Sequence, residues 1–318
     1  MTSAVFLSIP LSMPRQIKGH DYGHIVRQEV INRWSLCVDH VISVNCPRES
    51  EELAGQMSGV ELVKVTGPVQ VGISDIAKIY SLRGYATIAI SNADCIPIDV
   101  KLIREIVRST KPNSAHFLRR ANINADELNA SHAVFHGIDT FILSCQAVAA
   151  IPQQTRWAIG QPVWDIWLAL LLMVSNIEIS GLGANLIAHF DHPQKWNDRE
   201  WLVNARQLLS EIPLNAIENF GKASNKFGAY DQTWPDKAVR RTFDWFAEVL
   251  YSMENPRTVL DDSFDKLWLQ VLKRNFGPDD DQFSDYVSFS GRPVRRWLIK
   301  NGLFRSGCFL TGRGKRSN

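Results

Sequence analysis

Short apolar runs alternate with stretches whose apolar residues recur every three to four positions, and this alternation fills the first two-thirds of the chain. Runs at 4–9, 38–44 and 60–65 read as strands. Between them, 19–33 carries Ile25 and Ile31, with Trp34 just beyond, at helical spacing, and 49–57 reads as a short helix after Pro47. A helix at 73–82 leads into Thr87-Ile88-Ala89-Ile90-Ser91, bounded by Gly84 and Asn92. Such an uninterrupted, β-branched run is what a strand buried on both faces of a parallel sheet requires. A helix at 100–108, strands at 114–118, 139–143, 177–179 and 186–189, and a very apolar helix at 166–173 complete the series. Alternation of this kind predicts an α/β fold, a mostly parallel, doubly wound central sheet flanked by helices. Past Trp196 only 3.6-residue periodicity remains, at 199–209, 237–251 and 263–276, broken by Pro213, Pro235, Asn255 and Pro256. The expected organisation is therefore a first domain over 1–200 and a helical C-terminal region over 201–318.

Composition narrows the class. Of 318 residues, 45% are hydrophobic and 21% charged, which gives a globular chain ample core. A net charge of +2 argues against a protein that coats nucleic acid. The five cysteines include no C-x-x-C pair, which fits a reducing compartment and no zinc ribbon. The opening residues lack a basic segment and are interrupted by Pro10 and Pro14, so no signal peptide is expected. The apolar stretch at 166–174 is far short of the roughly 20 residues that span a bilayer. A cytoplasmic protein is the expectation. From Val287 onward there is no acidic residue, while Arg292, Arg295, Arg296, Lys300, Arg305, Arg313, Lys315 and Arg316 accumulate. Val294, Trp297, Leu298, Leu303 and Phe304 give that segment an apolar side. It suits either a peripheral contact with the inner face of an anionic membrane or a last docked helix with a basic tail.

Candidate chemistry collects at the ends of the inferred strands, where open α/β sheets bind ligands. Asn92-Ala93-Asp94 closes the 87–91 strand. Its carboxylate would suit a metal ion, or the two polar residues simply cap the turn and the helix after it. Asp165 begins a helix behind Gly160-Gln161-Pro162-Val163-Trp164. It is either a cap or a general base for an acceptor hydroxyl, with Trp164 as a wall on which a sugar ring stacks. His189 and His192 end the last strand, and one Asp plus one His, completed by a diphosphate, would hold Mg²⁺ or Mn²⁺. His132 and His136 are one helical turn apart, yet no Glu follows His132 as the zinc-protease motif needs. Gly181-Leu182-Gly183 reads as a turn, since Leu186 stands where a dinucleotide loop has its third glycine.

Six segments in this order resemble the GT-A-fold glycosyltransferases, the nucleotide-diphospho-sugar transferases. They are Arg27 to Trp34, Gly67 to Ile76, Ile90 to Asp94, His136 to Phe141, Ile159 to Trp167, and His189 to His192 with Trp196. The resemblance implies a Rossmann-like sheet, a nucleotide-sugar donor such as a UDP-sugar, a saccharide or lipid-linked acceptor, and Mn²⁺ or Mg²⁺. It implies that Asn92 and Asp94 stand at the D-x-D motif, with Asn92 replacing its first acid and Asp94 on the metal with His189 or His192. It further implies Asp165 as base if the reaction inverts the anomeric centre, or as a positioning group if it retains it, with Ile9 and Pro10 at the nucleotide base and Asp139, Gly160 and Trp164 in substrate contact. The Asn92 departure leaves open a nucleotide-sugar-binding protein without catalysis; a metal-dependent hydrolase using the histidines is a third reading.

Overall fold

The computed structural model describes residues 2–13, 16, 17, 20, 21, 23–65, 71–123, 137–190, 196–213, 230 and 232–255. The predicted features at His132, His136 and His192, the helix expected at 263–276 and the basic end lie outside these residues.

The sheet is built first from β1 (Ser3–Leu7), β4 (His40–Asn45), β5 (Glu61–Lys64) and β6 (Thr87–Ser91), all parallel. The short pair β2 (Gln16–Ile17) and β3 (His20–Asp21) stands apart as its own two-stranded ribbon. On the far side of β6 come β9 (Ile138–Ser144), β8 (Ser114–Ile123), β10 (Glu178–Phe190) and β11 (Glu254–Asn255). Only β9 runs against both of its neighbours, so the sheet is mostly parallel, as predicted. A three-residue strand not foreseen from the sequence, β7 (Cys95–Pro97), folds back antiparallel onto β10.

Strand alternation divides the core into two clusters. Ala4 and Phe6 of β1, Ile88 and Ile90 of β6, and Phe141 and Leu143 of β9 face α3 (Ile73–Arg83), α5 (Cys145–Ala149) and α6 (Trp164–Val174). Val5, Leu7, Ala89 and Ile142 face the other way, against α1 (Gly23–Cys37) and α4 (Val100–Ser109). Both faces are dry, which explains why these strands read as continuous apolar runs rather than alternating ones. A short helix α2 (Pro47–Leu53) joins β4 to β5. The helices α7 (Asp198–Glu211) and α8 (Asp236–Ser252) lay Ala205, Leu208, Phe243 and Phe246 into the first cluster, together with the sheet residues. No described helix is long and apolar enough to cross a membrane.

Boundaries shift for identifiable reasons. The first helix starts at Gly23 rather than Gly19, since His20–Asp21 is the strand β3, and position 23 must be glycine because a Cβ there would come within 1.9 Å of the Met13 carbonyl oxygen. The two late strands expected at 177–179 and 186–189 are one long strand, and Gly181-Leu182-Gly183 lies within it instead of turning. The register shifts between Leu182 and Ile187, and such a bulge is where glycine suits a strand.

Candidate active site at the carboxyl ends of the strands

The 92–94 turn is held from β9. Ser91 and Thr140 are opposite in the ladder, and their hydroxyls meet at 2.7 Å. One step further, the Asn92 backbone N–H donates to the Asp139 carbonyl at 2.9 Å, and Asn92 Nδ2 donates to Asp139 Oδ1 at 2.7 Å. The second carboxylate oxygen of Asp139 accepts from Arg120 Nη1. Arg120 lies opposite Gly137, donating its backbone N–H to the Gly137 carbonyl, and its stem crosses the bare Cα. Burial works against the Arg120 charge, but the carboxylates of Asp139, Asp94 and Asp165 hold its pKa above the ordinary value.

Asp94 meets its partner through the returning strand. β7 pairs Cys95 with His189, which brings His189 Nε2 to 3.2 Å from Asp94 Oδ2. The Asp94 side chain is 15% exposed and that of His189 only 4%. α1 clamps β7 from outside, with Trp34 Nε1 donating to the Cys95 carbonyl at 3.3 Å and Arg33 Nε to the Pro97 carbonyl at 2.9 Å. Burial, reinforced by Asp139 and Asp94, pushes the Cys95 thiol well above its usual range, so it stays protonated beneath the site.

Asp165 is the second residue of α6, not the first. The residue ahead of the helix is Val163, with a φ of 61°, in the left-handed region that a β-branched side chain strongly disfavours. Gly160, at φ 81°, makes the preceding reversal without that cost. Gln161 ties the loop together by accepting from the Ala158 N–H through Oε1 at 2.9 Å. The Asp165 carboxyl keeps a partial opening to solvent with protein around most of it. That enclosure, together with the nearby Asp139 charge, raises its pKa to about 8. The N–H groups of Ile166 and of Asp165 itself, and the Arg120 charge, pull the other way.

The structure thus brings Asn92, Asp94, Asp139, Asp165 and His189 into one neighbourhood. Trp164 departs from its expected part. It is 2% exposed and packed edge-to-face on Phe141 at 5.8 Å, so its ring is core and offers no wall for a sugar to stack on. Ile9 is fully buried, its N–H donating to Ser43 Oγ at 3.0 Å and its carbonyl accepting from Asn45 Nδ2 at 2.8 Å. Pro10 is partly exposed, and its carbonyl accepts from Arg27 Nη1 at 3.2 Å. Gly160 is exposed at the loop's turn. Arg120 is absent from the expected set. Its signal is the Arg119-Arg120 pair directly after the apolar Phe117-Leu118 within a strand, where a buried cation needs a partner.

Of the described residues, Asp94 and His189 could contribute to holding a divalent cation. Adjacent ligands around an ion with bonds of about 2.1 Å lie about 3 Å apart, close to the Asp94–His189 separation of 3.2 Å. Among the described residues no group of three potential metal-ligating side chains exists. Two protein ligands would leave the remaining positions to substrate oxygens and water.

Comparison of the sequence with family models and with curated proteins finds no match. Among solved structures, the chain is similar to S. aureus TarS 1-349 in complex with UDP-GlcNAc, at 8% identity and TM-score 0.45, over 95% of this chain and 92% of that one. It is similar to glucosyl-3-phosphoglycerate synthase from Mycobacterium tuberculosis, in complex with Mn²⁺ and UDP, at 14% identity and TM-score 0.42, over 66% and 79%. A Methanothermobacter nucleotidyl transferase is similar at 14% identity and TM-score 0.36, over 65% and 97%. Likenesses this distant carry no argument about activity, for which only the geometry of the site itself speaks.

Proposed function

We propose that this protein transfers a sugar from a nucleoside-diphosphate donor to an acceptor hydroxyl. The feature that supports it most is Asp165, a carboxyl group at the start of α6 behind the left-handed Val163, its pKa raised to about 8 by burial and the Asp139 charge, in the cluster where Arg120 also feels Asp94. A base with a proton affinity near the working pH is what removal of a hydroxyl proton needs. Asp165 takes the acceptor proton as the acceptor oxygen bonds to the anomeric carbon. The bond from that carbon to the diphosphate oxygen breaks, and the nucleoside diphosphate leaves with the electron pair. Asp94 and His189 would hold Mn²⁺ or Mg²⁺, which when bound neutralises charge growing on the leaving diphosphate. Arg120 keeps a fixed positive charge in the same cluster.

A thermal-shift screen with UDP, GDP, ADP, CDP and dTDP, with and without Mn²⁺, tests this reading. At least one pair is expected to raise the melting temperature, Asp94→Ala to remove the metal-dependent part, and Asp165→Asn to keep binding while ending transfer. No shift with any nucleotide would overturn it. Asn92 at the first position of the N-A-D turn favours a second reading, donor binding without transfer. Binding accompanied by neither transfer nor donor hydrolysis would support that one.

A further inference from the structure

Asp139 has the residue type of a substrate ligand, but its carboxylate is spent inside the fold. Oδ1 accepts from Asn92 Nδ2 at 2.7 Å, Oδ2 from Arg120, and the backbone carbonyl from the Asn92 N–H at 2.9 Å. The residue is 7% exposed. Arg120 reaches it only because position 137 has no side chain, where a Cβ would lie 2.9 Å from Arg120 Cγ and 3.0 Å from Nε. A carboxylate has no proton to offer, so whatever stands at position 92 must donate. An acid there would set two carboxylate oxygens in near-contact. It would also charge the site of Asn92 Oδ1, a buried oxygen that accepts no hydrogen bond among the described residues.

We propose that Asp139 is a positioning residue that shapes the 92–94 turn, and that Asn92 is the amide this arrangement requires. Introducing an acid at position 92, to complete a D-x-D motif, therefore damages the site. The effect on donor binding rests on the transferase reading; the Asn92–Asp139–Arg120 arrangement does not.

The test is a four-protein cycle of wild type, Asn92→Asp, Asp139→Asn and the double variant. In the double variant the amide at 139 donates to the acid at 92 and turns its oxygen toward Arg120, so the 92–139 contact survives with its direction reversed and Arg120 still donates to an oxygen at 139. Each single change is expected to lower the melting temperature by about 2–4 °C, and the double variant to regain most of the loss. The shift produced by UDP with Mn²⁺ should shrink in Asn92→Asp and return in the double variant. Additive losses in the double variant, or an Asn92→Asp protein as stable as wild type with a larger nucleotide shift, would overturn the proposal. If Asn92→Asp does not fold, the double variant against Asp139→Asn decides alone: greater stability in the double variant supports the exchange, and lesser stability overturns it. A wild type that responds to no nucleotide removes the transferase reading, while the melting temperatures still judge the arrangement.

Discussion

Two loops at the same edge of the sheet are built in opposite ways. In the loop after β1, Ser43 and Asn45 take both backbone groups of Ile9, and Arg27 takes the carbonyls of Pro10 and Leu11. Asn45 is itself satisfied by Ser43 at 2.6 Å and Glu49 at 3.2 Å. In the loop before α6, Val163 holds a left-handed conformation, and Asp165 is enclosed where its charge is disfavoured. The first loop is a scaffold whose Ile9, Pro10 and Leu11 backbone groups are held by side chains, and the second stores cost at the carboxyl group. Stored strain and a displaced pKa are physical marks of a reacting position, whereas saturation marks a supporting one.

The contrast breaks most visibly at Asp165. Asp165→Asn should lower kcat by about 10²–10⁴-fold with little change in nucleotide affinity, measured as turnover against a donor-binding titration. In wild type, kcat/KM should rise with pH toward about 8, as Asp165 loses its proton. The same proton ties stability to pH. The unfolded chain releases it near pH 4 and the folded chain near 8, so between those values the folded state binds more protons and its stability falls as pH rises. Allowing for partial solvent access, the fall should be on the order of 2–3 kcal/mol, and denaturant midpoints at pH 4.5 and 8.5 should show it in wild type more than in Asp165→Asn.

On the scaffold side, Asn45→Ala strips partners from the Ile9 carbonyl and the Ser43 hydroxyl. The expected cost is about 2 kcal/mol, or a melting temperature lower by roughly 3 °C for a chain of this size. The smallest effect belongs to Val163→Gly. Relief of about 1–2 kcal/mol of left-handed strain offsets most of the buried side chain's contribution, leaving a loss of about 1 kcal/mol. Val44→Gly, in a strand with no strain to relieve, should cost about 3 kcal/mol or more. Equal losses at the two valines would erase the contrast.

Much of the fold was legible because burial on both faces leaves an unmistakable run, as in β6, and because the 3.6-residue pattern of α3, α7 and α8 is regular. What stayed hidden depends on partners distant in sequence. β7 is three residues long and exists through its pairing with β10, some 90 positions away. The reversal of β9 leaves no mark on its composition, since its residues are buried in either direction. At the site, Asp94, Asp165 and His189 were legible from their places at element ends. Trp164 reads as a stacking surface from sequence alone and is core in the fold. The face of a helix that meets the core depends on how the loop before it turns, here through Val163. Arg120 and Gly137 gain their meaning only once β8 and β9 lie side by side.

The most direct measurement is a carboxyl ¹³C NMR titration of the protein labelled at aspartate, with the Asp165 resonance identified by its loss in Asp165→Asn. That resonance is expected to titrate with a midpoint near 8. A midpoint in the ordinary aspartate range, about 4, would contradict the claim that the fold holds Asp165 ready as a base.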